Sequence, residues 1–401
     1  MEQKKHAIKD AGASVIISDI SLGAEVAIGT FKLFNRSFYI YRTSASEVQL
    51  PPGTAKITYT SGTTGSPKGV CLSQAGMEKV ASSLLESIGA RAAEKHLAVL
   101  PLPILLENIA GLYTTLLAGG TYIVKPQASI GFSQAFRPDF NLLISELINE
   151  KVTSCILVPE LLKGLLLYLG VSGLILPDMR FMAVGGSKVS SGLLAEASAA
   201  GLPVYEGYGL SESASVVAVN TPEFSKAGTV GKILPHINLA LTDDGEIILQ
   251  SPAILGYTNG NFASNEYYTG DIGYVDDEGY LHVTGRKKNI IINSYGRNIA
   301  PEWPESELLS FPQIAQCFIY GDAAPELSAL IVPISSAITQ KEISEIINSA
   351  NQKLPAYARI GAWRIVPPFT PMNGMLTSTG RLRRSEILKH YQPEKIAENV
   401  I

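Results

Sequence analysis

Short apolar runs alternate with longer amphipathic stretches from the start of the chain to about residue 220. Stretches such as 73–88 and 140–150 place apolar residues at three- and four-residue spacing, which predicts helices with one buried face. The runs between them have the short length and the β-branched content of buried strands; they are ASVIIS, KITYTS, LAVLPL, TYIVKP, SCILVP, RFMAVGG and LPVYEGYG. This alternation predicts an α/β fold in which helices cover layered sheets.

The pattern changes after Gly228, where short alternating strands are separated by Gly, Pro and Asp-Asp-Gly turns. This pattern of short strands and tight turns predicts antiparallel pairing, and we expect a β-barrel-like subdomain there. From about Lys288 onward, helix patterns at 304–310 and 339–351 mix with the strand-like runs QCFIYG and SALIVP, which predicts a small α+β unit. We therefore expect a large N-terminal domain over residues 1–287 and a small C-terminal domain over residues 288–401.

The most apolar stretch is LLKGLLLYLGVSGLIL at 161–176, which holds one lysine and three glycines. It is too short to cross a bilayer, because a spanning helix needs about 20 mostly apolar residues. Two interpretations stay open. The stretch is either a buried helix followed by a turn, or an exposed apolar patch that meets a subunit, a lipid or an acyl substrate.

Composition and charge narrow the classes of function. The chain has 401 residues, 46% of them hydrophobic and 17% charged, which is enough for more than one core. Its net charge of -4 comes without a long basic run, so neither nucleic acid nor an anionic membrane surface is an expected partner. We find no signal-peptide pattern and no apolar run long enough for a transmembrane segment. The three cysteines are far apart, which argues against a disulfide framework and a zinc site and predicts a cytoplasmic location.

The first candidate for chemistry is YTSGTTGSPKGV at 59–70. A strand-like run precedes it and a helix pattern begins near Ser73, so backbone amides of the loop can converge on an anion. The spacing differs from that of the common GxxxxGK[ST] loop, because Lys68 is followed by Gly69 and not by a hydroxyl. The segment therefore indicates a phosphate-binding loop of another type, with an ordinary surface turn as the alternative.

Three further motifs follow this loop in order, namely EGYGLSES at 206–213, YTGD at 268–271 and GRKKNIIINSYGRNIAP at 285–301. The four motifs resemble those of acyl- and aryl-CoA synthetases, peptide-synthetase adenylation domains and luciferases, with the fatty-acyl-CoA ligases as the nearest branch. The resemblance covers essentially the whole chain. Members usually carry a further stretch upstream, so we expect an N-terminal domain that is incomplete at its start. The resemblance also implies a small domain that rotates between two half-reactions.

The resemblance implies a role for each matching position. The implied catalytic residues are Lys68, Glu212 and Arg381, and the implied hinge is Lys288. The nucleotide or the thiol cofactor is expected to contact Thr60, Ser61, Gly62, Thr63, Thr64, Gly65, Lys68, Gly186, Ser187, Glu206, Gly207, Tyr208, Ser211, Asp271, Arg286 and Gly296. Magnesium is expected on Glu212 and Thr64, and the acid is expected beside Ile104, Asn108, Gly185 and Gly209.

The chemistry of these side chains agrees with the implied roles. Lys68 can neutralise the β- and γ-phosphates of ATP, and Glu212 offers a hard oxygen ligand to magnesium. Tyr208 presents a flat face to adenine, and Asp271 can accept hydrogen bonds from both ribose hydroxyls. None of the five histidines lies near another at ligand spacing, so we expect neither a protein-bound zinc nor a histidine triad.

Two positions depart from the pattern of the family. In NGMLTSTGRLRR at 373–384, Arg381 stands where fatty-acyl members have a lysine that bridges the carboxylate and the α-phosphate. Arginine keeps the charge but is bulkier and planar, so adenylation is expected to be retuned. A second register would place Met375 at that position and leave no cation. Ile104 stands where related ligases often carry a histidine or another ring, so we expect an apolar acid recognised by shape and burial.

The sequence thus predicts an ATP-dependent, AMP-forming ligase that adenylates an apolar fatty or aryl acid and passes the acyl group to coenzyme A. ATP, Mg²⁺ and coenzyme A are the expected cofactors. The next acceptor is the phosphopantetheine of an acyl carrier protein, which would then be a partner, and an amine is the third. A nucleotide- or acyl-binding protein without turnover is the rival class. A homo-oligomer is expected, because a short N-terminus would leave an apolar face to be covered.

Overall fold

The structure is a computed structural model that describes residues 2–22, 26–33, 36–60, 67–133, 138–250, 253–260, 264–377 and 380–391. Its α-helices are α1 (Glu2–Asp10), α2 (Gln74–Ile88), α3 (Thr114–Leu117), α4 (Phe140–Asn149), α5 (Pro159–Ser172), α6 (Ser191–Ala199), α7 (Glu302–Leu309), α8 (Gln340–Lys353) and α9 (Arg384–Tyr391). A π-helical segment spans Glu107–Tyr113, and 3-10 turns span Gln127–Ile130, Ser211–Ser213, Lys287–Asn289 and Ala356–Ala358.

The strands fall into several separate sheets. In chain order they are β1 (Val15–Ser18), β2 (Gly29–Leu33), β3 (Arg36–Arg42), β4 (Thr54–Thr60), β5 (Lys68–Ser73), β6 (Lys95–Leu97), β7 (Thr121–Ile123), β8 (Ser154–Leu157), β9 (Phe181–Val184), β10 (Val204–Tyr208), β11 (Ala218–Val219), β12 (Lys232–Ile233), β13 (Asn238–Leu241), β14 (Glu246–Gln250), β15 (Ile254–Tyr257), β16 (Glu266–Val275), β17 (Leu281–Arg286), β18 (Ile291–Ile292), β19 (Asn298–Ile299), β20 (Ile314–Tyr320), β21 (Leu327–Pro333) and β22 (Ile360–Ile365).

A seven-stranded sheet in the order β12-β11-β10-β9-β8-β6-β7 forms the centre of the large domain. Its members from β10 to β7 run parallel, and β11 and β12 extend it antiparallel at one edge. Met182 and Phe181 are neighbours in β9 but belong to two different cores, because successive side chains of a strand point to opposite faces. Helices α4, α5 and α6 pack in the hydrophobic core that contains Met182, and α2 packs in the core that contains Phe181. The predicted α/β layering is confirmed.

The region predicted to be antiparallel contains a four-stranded antiparallel sheet in the order β13-β14-β16-β17. A three-stranded sheet, β15-β5-β4, lies beside α2, and the N-terminal strands form the sheet β1-β3-β2. Strand β5 was not predicted, since its run KGVCLS was read as the end of the loop and the approach to a helix. In the structure, β4 and β5 pair antiparallel, with Thr60 opposite Lys68.

The small domain is built on the sheet β20-β21-β22, which packs against α7 and α8. Both predicted helices are present: α7 begins at Glu302, and α8 begins after Thr339, whose side chain forms a capping box with Glu342. Strand β6 ends at Leu97 and shares only that residue with the predicted strand run LAVLPL at 97–102. The rest of the run leads to Pro101 and Pro103, which cannot donate to a ladder. The domain boundary at residue 288 stays a prediction.

The apolar stretch at 161–176 contains both features that its pattern left open. Helix α5 buries Leu162 and Leu165 and ends at Gly173, whose φ of 68° is left-handed. Val171 is 92% exposed and Ile175 is 72% exposed, so an apolar patch remains at the end of the helix. Among the described residues, no helix is both long enough and apolar enough to cross a membrane.

Candidate active site

Two neighbouring parallel strands, β9 and β10, direct several of the predicted nucleotide residues into one cleft between the domains. Gly185, Gly186 and Ser187 directly follow β9, and β10 ends in the segment that the second motif predicted. The cleft is lined by these residues together with Glu206, Gly207, Tyr208, Gly209, Ser211 and Glu212. The carboxyl ends of parallel strands are the usual ligand-binding edge of an α/β sheet.

Bare backbone forms the wall of this cleft, because several glycines leave no room for a side chain. A Cβ on Gly209 would lie 1.5 Å from the carbonyl oxygen of Ser215. A Cβ on Gly185 would lie 3.2 Å from the carbonyl oxygen of Gly207, and a Cβ on Gly207 would lie 3.3 Å from that of Ala218. The three segments can therefore approach one another and a flat ligand closely.

Glu206 is buried beneath the wall and supports it. Its Oε1 accepts a hydrogen bond from the backbone N–H of Val189 at 3.3 Å, which ties β10 to the loop after β9. Burial raises the pKa of Glu206 to about 7, and the Val189 N–H and Lys188 oppose this rise. Ser211 begins the 3-10 turn that follows and is half-buried. Direct contact of Glu206 or Ser211 with a nucleotide stays a prediction.

Glu212 and Lys68 both lie close to one tyrosine, Tyr257. The hydroxyl of Tyr257 donates to Glu212 Oε1 at 3.1 Å, and it also lies 3.3 Å from the hydroxyl of Tyr267. The Nζ of Lys68 lies 5.9 Å from the centre of the Tyr257 ring. Burial is the main reason that the pKa of Tyr257 rises to about 12, so its hydroxyl stays a donor to Glu212. The arrangement offers a carboxylate and an ammonium group at the same side of the cleft.

Asp271 is anchored by two other predicted site residues, Tyr208 and Arg286. It is 4% exposed, and its Oδ2 accepts from the Tyr208 hydroxyl at 2.6 Å while its Oδ1 meets Arg286 Nε at 2.7 Å. Arg286 faces Asp271 across the β16–β17 ladder. Burial raises the pKa of Asp271, and the charge of Arg286 opposes this rise. The structure thus brings these three predicted residues together.

Arg381 reaches the same cleft from the small domain. Its side chain is exposed at the mouth of the cleft, where desolvation by the walls and the charge of Arg286 lower its pKa while Asp271 and Glu212 raise it. The register that placed Met375 at this position does not fit, since Met375 is 4% exposed and lies in the core of the small domain.

The hinge residue Lys288 lines the cleft, whereas the glycine loop lies apart from it. Lys288 follows β17 in a 3-10 turn, and its neighbour Lys287 is bonded to Asp244 Oδ2 at 2.7 Å and Glu246 Oε2 at 2.8 Å. Gly296 has a φ of 70° in the turn between β18 and β19 and is not among the residues that line the cleft. Gly296 is therefore separate from the other predicted cofactor residues in this orientation of the small domain.

The two residues predicted to lie beside the acid differ in exposure. Ile104 is 40% exposed and lines the cleft, whereas Asn108 is 9% exposed in the π-helical segment. The Oδ1 of Asn108 accepts a hydrogen bond from Lys56 Nζ at 2.5 Å. Lys56, whose pKa is lowered by burial, was not predicted, because it lies on β4, 52 positions away in the chain.

Most of the predicted phosphate loop lies outside the described residues, namely Ser61, Gly62, Thr63, Thr64 and Gly65. The two flanks are described, with Thr60 ending β4 and Lys68 beginning β5. Helix α1 holds both flanks, since the hydroxyl of Tyr59 donates to Asp10 Oδ2 at 2.9 Å and His6 Nε2 lies 3.1 Å from the carbonyl oxygen of Pro67.

Sequence comparisons identify relatives. Residues 2–255 match the family described as AMP-binding enzyme, and residues 288–398 match the AMP-binding enzyme C-terminal domain. The chain is 29% identical over 413 residues to a long-chain-fatty-acid–CoA ligase, FadD15, of Mycobacterium bovis, covering 84% of this chain and 68% of that protein. It is 32% identical over 330 residues to a 2-succinylbenzoate–CoA ligase of Bacillus mycoides, covering 75% of this chain and 64% of that protein.

Solved structures agree with these relatives. O-succinylbenzoate coenzyme A synthetase of Bacillus subtilis in complex with ATP and magnesium matches with a TM-score of 0.69 and 26% identity, covering 86% of this chain and 72% of that one. The anthranilate CoA ligase AuaEII with anthranoyl-AMP matches with a TM-score of 0.72 at 21% identity, covering 87% of this chain and 69% of that one, and shows the shared fold. The chain spans about two thirds of the length of these relatives.

Proposed function

This chain belongs to the AMP-binding enzyme family, and from that premise we propose that it is an ATP-dependent, AMP-forming ligase that joins an apolar carboxylic acid to coenzyme A. One observation carries the proposal. Glu212, Asp271 and Arg381 converge from two domains on a single cleft at the carboxyl ends of parallel strands. A carboxylate for magnesium, a carboxylate for ribose and a cation for the reacting carboxylate are the groups that adenylation needs.

The residues of the cleft fit ATP and magnesium by their chemistry. Glu212, bonded to the Tyr257 hydroxyl, supplies a hard oxygen, and Lys68, 5.9 Å from the centre of the Tyr257 ring, supplies a cation for phosphate. Within the described part of the chain, no group of three or more His, Cys, Asp or Glu side chains could hold a metal ion. Glu212 would therefore contribute one hard oxygen ligand to magnesium, and Thr64, the second predicted ligand, lies outside the described residues.

The proposed reaction has two half-reactions. A carboxylate oxygen of the acid attacks the α-phosphorus of ATP, the bond from that phosphorus to the bridging oxygen breaks, and pyrophosphate leaves. The thiol of coenzyme A then loses its proton to solvent. The resulting thiolate attacks the acyl carbon, and the bond from that carbon to the AMP oxygen breaks. Arg381 would neutralise the charge that gathers in the first step, when carboxylate and phosphate oxygens meet.

The side chains around Ile104 support an apolar acid. Leu105, Leu106, Ala110 and Phe181 line the cleft with it, and they offer little beyond shape and burial to a bound acyl group. Coenzyme A is the proposed thiol, because the relatives named above are CoA ligases. The phosphopantetheine of an acyl carrier protein presents the same thiol chemistry and is the second acceptor to test.

Acid-dependent release of pyrophosphate, measured with a panel of fatty and aryl acids, tests the proposal. We expect Lys68→Met and Glu212→Gln each to lower the rate by about 10- to 100-fold, since each variant loses a charged contact worth about 1.5–3 kcal/mol. Glu86→Gln changes an exposed carboxylate outside the cleft and should keep the rate. An unchanged rate in Glu212→Gln would remove magnesium binding from this residue, and no release with any acid would favour the rival class of binding protein.

We further propose a cytoplasmic homo-oligomer. The three cysteines are free and buried, which suits a reducing compartment. The N-terminal sheet β1-β3-β2 carries exposed apolar side chains, with Ile17 at 61%, Ile28 at 57% and Phe31 at 41% exposure, and a second copy could cover them.

Sedimentation at micromolar concentration checks the proposed association. We expect the chain to sediment as an oligomer and Phe31→Lys to shift it toward the monomer, because a charge would have to be buried at the contact. Met372→Lys, which alters an apolar side chain that is 98% exposed in the small domain, is the matched control. A monomeric wild-type chain would contradict the proposal.

A further inference from the structure

A lysine of the large domain holds the small domain at three points. Lys163 lies in α5, and its Nζ donates to the carbonyl oxygens of Leu309 at 2.8 Å, Phe311 at 2.7 Å and Ile314 at 3.0 Å. These carbonyls stand at the end of α7 and at the start of β20. One side chain therefore bridges the two domains at the C-terminal end of a helix.

The contact suits the chemistry of both partners. The last carbonyls of a helix have no partner inside the helix and form the negative end of its dipole. An ammonium group has three protons to donate and no acceptor, so Lys163 can satisfy three carbonyls at once. Burial lowers the pKa of Lys163 to about 8, which still leaves the group charged at neutral pH.

The position of α7 also fixes the position of Arg381. Arg384, three residues further along the chain, meets Glu305 Oε2 of α7 with its Nη2 at 2.5 Å. The segment of Arg381 and helix α7 are thus bonded to each other inside the small domain. In the orientation that Lys163 holds, Arg381 lies within electrostatic range of Asp271.

A second close contact lies on the same border. A Cβ on Gly192 of α6 would lie 3.3 Å from the Cβ of Ser310, which follows α7 directly. A larger side chain at Gly192 would push α7 away from α6 while Lys163 itself is unchanged.

We propose that Lys163 is a positioning residue for the first half-reaction. Its hydrogen bonds hold the small domain in the orientation in which Arg381 faces the cleft, and these bonds break when the small domain rotates for thioester formation. The two half-reactions belong to the proposed function, and in this respect the inference rests on it. Lys163 acts through the position of the small domain and needs no contact with substrate.

The orientation itself can be measured without any turnover. Val171 and Met372 are 92% and 98% exposed and lie on different domains, while all three native cysteines are buried. Spin labels on Val171→Cys and Met372→Cys would report the distance between the domains. We expect Lys163→Met to lower the fraction of molecules at the wild-type distance by at least half, and Gly192→Leu to act in the same direction as an independent variant.

Lys341→Met is the matched control for this measurement. Lys341 lies in α8 of the small domain, its Nζ lies 4.0 Å from Glu345 Oε1 of the same helix, and its side chain is 87% exposed. Its removal should leave the distance between the labels unchanged. Thermal melting of each variant checks that both domains remain folded. An unchanged distance in both Lys163→Met and Gly192→Leu would overturn the proposal.

The two half-reactions give the functional test. We expect Lys163→Met to slow acyl-adenylate formation about 10-fold, as charge-assisted bonds are lost, and to leave thioester formation from a pre-made acyl-adenylate equal or faster. Lys163→Arg should recover part of the first rate. Equal losses in both half-reactions would show a merely structural role. If the distance shifts but the wild-type chain ligates no acid, the proposed function fails while the role of Lys163 in orientation stands.

Discussion

Replacing Arg381 with alanine is expected to slow acyl-adenylate formation by about 100- to 1,000-fold, or about 2.7–4 kcal/mol, the usual cost of removing a group that stabilises charge in a transition state. Arg381 is the cation that the small domain brings to the cleft beside Asp271 and Glu212. Thioester formation from a pre-made acyl-adenylate uses a different orientation of the small domain and should change much less. The variant should therefore separate the two half-reactions.

Single-turnover rates of pyrophosphate release and of thioester formation check this expectation. Arg383→Ala is the matched control, because Arg383 is an exposed arginine two positions away that bonds to the carbonyl oxygen of Gly374 at 3.1 Å. Arg381→Lys asks whether charge alone suffices: a retained rate would mean that it does, and a loss would mean that the site needs the planar guanidinium. Equal losses in both half-reactions, or none, would remove Arg381 from the proposed mechanism.

The fold could be predicted to the extent that its signals are local. Alternation of apolar runs with helical spacing located the parallel sheet and its helices, and the helix pattern at 339–351 lies close to α8, which begins after Thr339. Strand β5 was missed because a run of six residues beside a glycine-rich loop has no pattern that separates it from the loop. The segment is a strand because it pairs with β4 and β15, and this pairing leaves no signal within the run itself.

The candidate site likewise has residues that local motifs predict and residues that only packing brings together. The motifs identified Tyr208, Asp271 and Arg286 as candidate nucleotide residues, and the structure adds that they are bonded to one another, which the motifs did not predict. A buried polar network next to the acid side of the cleft was missed. Glu107 Oε1 there meets His96 Nε2 at 3.0 Å and the Tyr122 hydroxyl at 2.9 Å. Its members are ordinary residues on different elements, so only packing brings them together.

The contact of Lys163 between the domains could not be predicted from the sequence either. In the sequence it is the one charged residue of the apolar stretch 161–176, and it gave no sign of a partner. Its three acceptors are backbone carbonyls about 150 positions away, and any residue type could supply them. Contacts of a side chain with backbone leave no pattern in the partner sequence, which is why neither composition nor motif could reveal this bridge.

Gly209→Ala is expected to lower the free energy of unfolding by about 3 kcal/mol, the upper end for an overpacked site, and to slow adenylation about 100-fold. The added methyl carbon would lie 1.5 Å from the carbonyl oxygen of Ser215 and 2.5 Å from its carbonyl carbon. These are backbone atoms and cannot swing aside like a flexible side chain. The turn between the two residues must therefore shift, and it carries Glu212. A displacement of about 1 Å at a reacting group is enough to cost two orders of magnitude in rate.

Denaturant midpoints and pyrophosphate release measure the two effects of Gly209→Ala. The control is Gly170→Ala, since Gly170 lies in α5 with no atom within 4 Å of a Cβ built on it, and the methyl group there should stabilise the helix by about 0.5–1 kcal/mol. The two substitutions add the same atom, so their opposite signs would isolate the backbone contact as the cause. Wild-type stability and rate in Gly209→Ala would mean that the turn can open freely, and Glu212 would then need another means of support in the cleft.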